Sequence, residues 1–206
     1  MERKFVERHA VIASHNLGKI DEIRELLIPY NITTISAKEL NFPEPEETGQ
    51  TFIENAEIKA RAASTGSGLP ALADDSGLVI PILGGDPGIF SARWALEPDG
   101  KSSNFTKAIR KIKHAIKKAG VAPEGQKASL VCALSLCWPD GIVVSFEGIV
   151  HGSLTFPPRG DKGFGYDPIF IPESRQLTFG EMDQIEKHQI SHRANAFKKL
   201  IGHCFN

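Results

Sequence analysis

The sequence predicts a mixed α/β protein, and two observations carry that reading. Short apolar runs of strand length alternate with longer stretches whose apolar residues recur at helical spacing, and Gly, Pro and Asp punctuate the junctions. At 206 residues, 41% hydrophobic and 24% charged, the chain can bury one substantial core or two lobes. With no internal repeat and no flexible linker, we expect one domain over residues 1–206 with a cleft between two lobes.

The elements follow in order. Ala10 to Ala13 is an apolar run ending at a polar, glycine-containing turn, and Ile20, Ile23, Leu26 and Leu27 then keep helical spacing until Pro29. This reads as strand, loop and helix. Ile32 to Ile35 reads as a second strand, and the acidic, proline-containing stretch Asn41 to Gln50 as a loop. Thr51-Phe52-Ile53-Glu54 matches a capping box, so a helix is expected from there to about Ser64. Leu69 to Ala73 and Leu78 to Ile82 are expected as short strands on either side of a tight Asp74-Asp75-Ser76-Gly77 turn. Gly84 to Arg93 has the Gly and Pro density of an ordered loop, and Phe105 to Ala119 is a basic amphipathic helix. Ala128 to Trp138 and Ile142 to Val150 form a hairpin about Pro139-Asp140-Gly141. Pro157 to Tyr166 is a loop, Ile169 to Ile171 a short strand and Ser191 to Ile201 the final helix.

Bulk properties narrow the function. The formal net charge is −1, so no overall basic field draws the chain to a nucleic-acid polymer, and the basic helix reads as a solvated face. No run approaches the roughly 18 apolar residues of a membrane span. The charged first residues lack the apolar stretch of a secretory signal, so the expected location is the cytoplasm. Cys132, Cys137 and Cys204 make no metal-ligand spacing; the first two sit in an apolar run as expected buried thiols. The histidines show no paired zinc spacing, and no Gly-x-Ser-x-Gly elbow is present.

Three segments carry chemistry. Ser14-His15-Asn16-Leu17-Gly18-Lys19 joins a strand to a helix, where free amides and the helix dipole favour an anion. Ser14 and Asn16 add donors, Gly18 allows close approach and Lys19 adds charge; the spacing is not that of a Walker A loop. Asp74 and Asp75, together with Glu44, Glu46 and Glu47 of the acidic loop, are oxygen donors of the kind that suits Mg²⁺. A remaining carboxylate would orient or deprotonate a water. In Gly163-Phe164-Gly165-Tyr166-Asp167-Pro168, either Phe164 or Tyr166 offers a stacking face, the glycine amides can reach a base edge, and Asp167 holds the loop. Downstream Lys187, His192 and Arg193 are donors for a base carbonyl or a phosphate. The three segments together describe a nucleotide-handling enzyme.

Taken in order, these segments resemble the inosine triphosphate pyrophosphatase family. The matching pieces are Ala13 to Lys19, Glu46 to Gly49 with Thr51 to Ala56, Ala73 to Leu78, Pro87 to Trp94, Gly163 to Phe170, and Glu186-Lys187 with Ser191-His192-Arg193. They span Ala10 to Leu200, leaving residues 1–8 as an N-terminal extension. The resemblance implies an elongated mixed sheet between two α/β lobes, a central nucleotide-binding cleft and a homodimer. It also implies hydrolysis of ITP, dITP and XTP to the monophosphate and pyrophosphate, with Mg²⁺ as cofactor. Carried over by position, Ser14, His15, Asn16, Leu17, Gly18 and Lys19 bind the triphosphate and Asp75 is the catalytic, metal-associated acid. Ser76 contacts substrate, and Phe164, Gly165, Tyr166, Asp167, Lys187, His192 and Arg193 form the base- and nucleotide-binding set. His15 stands where the family more often has a small or polar residue. Which of Glu44, Glu46 and Glu47 joins the metal stays open, with Glu47 the first choice. The rival readings are a Maf-like pyrophosphatase acting on pyrimidine or modified nucleotides, a non-catalytic nucleotide sensor and, weakest because the charge is balanced, an RNA-binding protein using the Phe105–Ala119 helix.

Overall fold

Strand and helix alternate through most of the chain in the computed structural model, which describes residues 3–99 and 102–205. Met1 and Glu2 of the expected extension lie outside the described residues. The elements are β1 (His9–Ile12), α1 (Leu17–Leu27), β2 (Thr33–Ser36), α2 (Phe52–Ser67), β3 (Ala71–Val79), α3 (Ser91–Ala95), α4 (Phe105–Lys118), β4 (Lys127–Cys137), β5 (Val143–Leu154), β6 (Phe170–Pro172), α5 (Gln184–Ile190) and α6 (His192–Cys204). The strands form one six-stranded sheet in the order β2-β1-β3-β4-β5-β6. β1 pairs parallel with β2 and β3, whereas β5 and β6 are antiparallel, so the sheet is mixed.

By its contacts the chain divides into two units. The first comprises Met1–Asp75, Cys132–Gly148 and His192–Asn206, the second Ser76–Val131 and Ile149–Ser191. Alternation along the strands gives the first unit two apolar layers. Ile12 of β1 and Leu72 of β3 join Ile20, Ile23, Phe197 and Leu200 of α1 and α6, while Val11, Ala71 and Ala73 join Ala60 and Ala63 of α2. The second unit gathers Ile109, Ile112 and Ile116 of α4 around Leu78, Leu130, Ile169 and Phe170. Ala108 and the three isoleucines of α4 supply its buried stripe at helical spacing, so the lysines between them stay outside, as the amphipathic reading requires.

The capping box at the start of α2 is formed in both directions, Thr51 to Glu54 and back. The region around Asp74 corrects the sequence reading. Leu69 to Ile82 is not two strands about a tight turn; β3 runs unbroken from Ala71 to Val79 through all four residues of Asp-Asp-Ser-Gly. Turn propensity loses here because both carboxylates find cationic partners on helices packed against the strand, so the backbone can stay in the sheet. α5 was not expected either: Gln184 to Ile190 is too short and polar to show a period, and its start is marked by the Asp183 side chain accepting from Ile185 N–H.

The extension also has a structural place that the sequence did not indicate. Phe5 N–H donates to Cys204 O, and its ring stacks on Phe205 and leans on Trp138. Glu7 accepts from Trp138 Nε1, and Arg3 pairs with Asp140 at the hairpin turn after β4. Residues 3–7 thus tie the start of the chain to the end of α6 and to β4 within the first unit. Phe5 is only half-buried, so Phe5→Ala should cost about 1–3 kcal/mol, less than a fully buried ring. Urea denaturation checks this, and an unchanged midpoint would mean the segment does not stabilise the unit.

Candidate functional site

Within the first unit the site is organised by two adjacent carboxylates that point to opposite faces of β3. Neighbouring strand residues alternate sides, so Asp74 shares the face of Leu72 and Asp75 that of Ala73. Each carboxylate is then met by cations or donors from the helices on its own side. Lys19 Nζ of α1 lies 2.9 Å from Asp74 Oδ1, and Arg193 of α6 donates to Asp74 Oδ2 at 2.8 Å and also to Glu22 of α1. On the other face Lys59 Nζ of α2 donates to Asp75 Oδ1 at 3.0 Å and to Glu47 Oε1 at 2.6 Å. Asn55, one turn before Lys59, donates to Asp75 Oδ2 at 3.4 Å. Asp74 and Arg193 are 1% exposed and Asp75 is 5% exposed, so these are charges in a dry setting.

The two carboxylates differ electrically. Burial opposes ionisation of Asp74, but Lys19 and Arg193, with Lys59, more than offset it and hold its carboxyl well below the usual range. Asp75 goes the other way: burial raises it, Lys59 and Lys19 offset only part, and the Glu47 charge adds to the rise. One ammonium serves two carboxylates, so Asp75 is less completely neutralised than Asp74. The same crowding keeps Lys59 charged, since Asp75, Glu47 and Asp74 outweigh the cost of its burial.

The Ser14–Lys19 turn leaves the sheet and starts α1. Asn16 caps the helix, its side chain accepting from Lys19 N–H, while Ser14 Oγ accepts from Asn16 N–H. His15 Nε2 is 2.8 Å from Phe42 O, which ties this turn to the acidic loop, and Leu17 is exposed. A cavity of about 280 Å³ opens beside Lys59, lined by Ala13, His15, Phe42, Glu44 and Ala63 among others. Of the three glutamates, Glu44 and Glu46 are exposed and Glu47 is the one that reaches Lys59. His192 opens α6 and is buried beside Arg193.

The remaining predicted residues lie in the second unit. Ser76 follows Asp75 on β3 and is half-buried. Gly163 takes a left-handed φ of +75°, and a Cβ there would run into the Asp167 carboxylate. Asp167 Oδ2 accepts from Phe164 N–H at 2.9 Å and from Lys187 Nζ at 2.7 Å, so the loop closes on a buried ion pair. Gly165 follows with φ +69°. Lys187, 1% exposed, also lies 4.9 Å from the Phe164 ring centroid. Tyr166 is held inside the unit by its hydroxyl on Ser91 O and by the Phe105 edge, whereas Phe164 is partly exposed.

Sequence reading missed Glu22, Asn55 and Lys59. A signal existed for the last two: they stand four apart on the alanine-rich face that buries Ala56, Ala60 and Ala63, where a polar side chain needs a partner. Among the described residues no group of three or more His, Cys, Asp or Glu converges as a ready metal cage. Asp75 and Glu47 nevertheless aim oxygens at a single cation, the Lys59 ammonium. Two hard oxygen donors of this kind fit Mg²⁺, which takes one or two protein carboxylates and fills its shell with water and phosphate.

Asp74 also governs acid stability. Its folded carboxyl is held low, so its contribution is complete above the unfolded value of about 3.9 and is lost as pH falls below that. Asp74→Asn should therefore cost about 3 kcal/mol near pH 7. The gap to the unaltered protein should narrow by about 1 kcal/mol from pH 5 to pH 3, at roughly 1.4 kcal/mol per unit of pH below the unfolded value. Denaturation curves across that range check it, and a constant gap would contradict the pairing.

Comparison with known proteins identifies the family. Residues 10–203 match the Ham1 family. The chain is 53% identical over 203 residues, 98% of each chain, to a dITP/XTP pyrophosphatase of Rhodospirillum centenum. It is 52% identical to the dITP/XTP pyrophosphatase of Zymomonas mobilis, covering 98% of this chain and 94% of that one. A HAM1 protein from Coxiella burnetii superposes with a TM-score of 0.82 at 42% identity, over 94% of this chain and 96% of the other. The chain belongs to the Ham1 family.

Proposed function

We propose that this protein hydrolyses the non-standard purine nucleoside triphosphates ITP, dITP and XTP to the monophosphate and pyrophosphate, with Mg²⁺, and so clears them from the cytoplasmic nucleotide pool. The reading is supported by relatives of about half identity over nearly their full length that carry the name dITP/XTP pyrophosphatase. The observation that carries the chemistry is the buried Asp75, raised above an ordinary carboxylate and set beside Lys59 and Glu47. A homodimer is expected from the family resemblance.

In this reading Asp75 is the general base. It orients a water and takes its proton as the water oxygen bonds to the α-phosphorus; the bond from that phosphorus to the bridging oxygen breaks, and pyrophosphate leaves. Mg²⁺, held by Asp75 and Glu47, would supply positive charge to the phosphate oxygens. The Ser14–Lys19 turn at the start of α1, with the Lys19 ammonium, steadies the triphosphate. Ser76, next on the strand, contacts substrate.

Base recognition falls to the Phe164–Asp167 loop, Lys187, His192 and Arg193. Phe164 is the aromatic with an accessible face, while buried Tyr166 anchors the loop that carries it. His192 donates to a 6-keto oxygen, and Arg193, pinned by Asp74 and Glu22, fixes the first turn of α6 behind it. An adenine amino group would leave such donors unpaired, a mismatch that discriminates by roughly 10⁴ where the donors are buried.

Chromatography of the products from ITP, dITP, XTP and ATP, with and without Mg²⁺, tests the reading. Inosine or xanthosine monophosphate plus pyrophosphate, with ATP spared, is expected; diphosphate plus orthophosphate would overturn it. Asp75→Asn should lower kcat by about 100-fold or more, and a near-normal rate would remove Asp75 from the mechanism. For Phe164→Ala, loss of about 1–3 kcal/mol of stacking should raise the KM for ITP by about fivefold to 150-fold with kcat little changed. An unaltered KM would move base stacking elsewhere.

A further inference from the structure

The end of the acidic loop is fastened to α2 by side chains rather than by regular structure. Three consecutive amides are accepted by two consecutive residues of the helix: Gly49 N–H by Asn55 Oδ1 at 2.9 Å, and Gln50 and Thr51 N–H by Glu54 Oε2 at 2.6 and 3.1 Å. The Glu54 half is an ordinary capping box. The Asn55 half is not: Asn55 is 0% exposed, and the other end of its amide turns to Asp75 Oδ2. The Gly49 amide can only donate, so Asn55 must present its oxygen there, and its NH₂ is left facing the carboxylate. An aspartate would meet Gly49 but set a second carboxylate against Asp75. An aliphatic residue would meet neither the Gly49 amide nor Asp75 Oδ2.

We infer that Asn55 is a positioning residue of the hydrolytic site, its amide joining the end of the acidic loop at Gly49 to the Asp75 carboxylate and so fixing where Glu47 and Asp75 stand relative to each other. Glu47 is two residues before Gly49 and is held by Lys59, one turn beyond Asn55 on the same face of α2. Asn55 and Lys59 therefore form two parallel bridges, each running from the loop to Asp75. Gly49 is part of the device. A Cβ there would come within 2.6 Å of Glu54 Cβ and 2.7 Å of Asn55 Oδ1, so any side chain would lift the loop from the helix. The inference rests on the proposed role of Asp75 and Glu47 in hydrolysis.

The test compares Asn55→Ala and Asn55→Asp with the unaltered protein in two measurements: steady-state hydrolysis of dITP, and hydrogen exchange of the Gly49 amide without nucleotide. For Asn55→Ala the expected results are a fall in kcat of about 100-fold with KM within a few-fold, and Gly49 exchange faster by roughly fivefold. Asn55→Asp should keep Gly49 protected and still lose kcat, because the donor to Asp75 is replaced by a second carboxylate. A purely structural role would lower the melting temperature while folded Asn55→Ala kept its kcat; that result, or unchanged Gly49 exchange, overturns the inference. Should Asn55→Ala not fold, Asn55→Asp decides alone, and a normal kcat there overturns it. If the unaltered protein hydrolyses no nucleotide yet Gly49 exchange depends on Asn55, the functional reading fails while the loop tether stands.

Discussion

Two adjacent aspartates buried within one strand are the constraint on which the first unit depends. Taking two carboxylates out of water costs several kcal/mol each unless cations or donors meet them. Because consecutive strand residues face opposite ways, one helix could not serve both. α1 and α6 bring Lys19 and Arg193 to Asp74, and α2 brings Lys59 and Asn55 to Asp75. The positions of three helices against the sheet are thus tied to the charges of two residues. Asp74 is paired with Lys19 and Arg193, while Asp75 shares the Lys59 ammonium with Glu47.

The second unit solves a smaller version of the problem. Asp167 and Lys187 are buried together, and their ion pair closes the glycine-containing loop that presents Phe164. Here the buried charge does not face a reacting group; it stiffens a loop whose glycine at 163 already permits a conformation closed to other residues. The half-buried Phe164 ring lies over the buried Lys187 ammonium, which holds it in place.

Much of this was legible in the sequence where local chemistry decides. Thr51 and Glu54 fix the start of α2 by themselves, and the isoleucines of α4 set its buried stripe through spacing alone. The loop around Phe164 and the turn before α1 were also found, because glycines and capping residues mark them. Asp-Asp-Ser-Gly was misread as a turn for the opposite reason: its conformation is imposed by Lys19, Lys59 and Arg193, which are distant in sequence. Glu22 stayed hidden because it looks like an ordinary polar residue of a helix until its partner is known, whereas Asn55 and Lys59 carried a signal in their place on the alanine-rich face of α2. The N-terminal segment has no period at all, and only the docking of Phe5 on Phe205 and Trp138 reveals its place.

The central claim is that water attacks the α-phosphorus under the direction of the Asp75 face of β3. A single turnover of dITP in ¹⁸O-labelled water, followed by mass spectrometry of both products, tests this most directly. The account predicts one heavy oxygen in the monophosphate and none in pyrophosphate. Label in the pyrophosphate would place attack at the β-phosphorus, and label in orthophosphate at the γ-phosphorus; either result would contradict it.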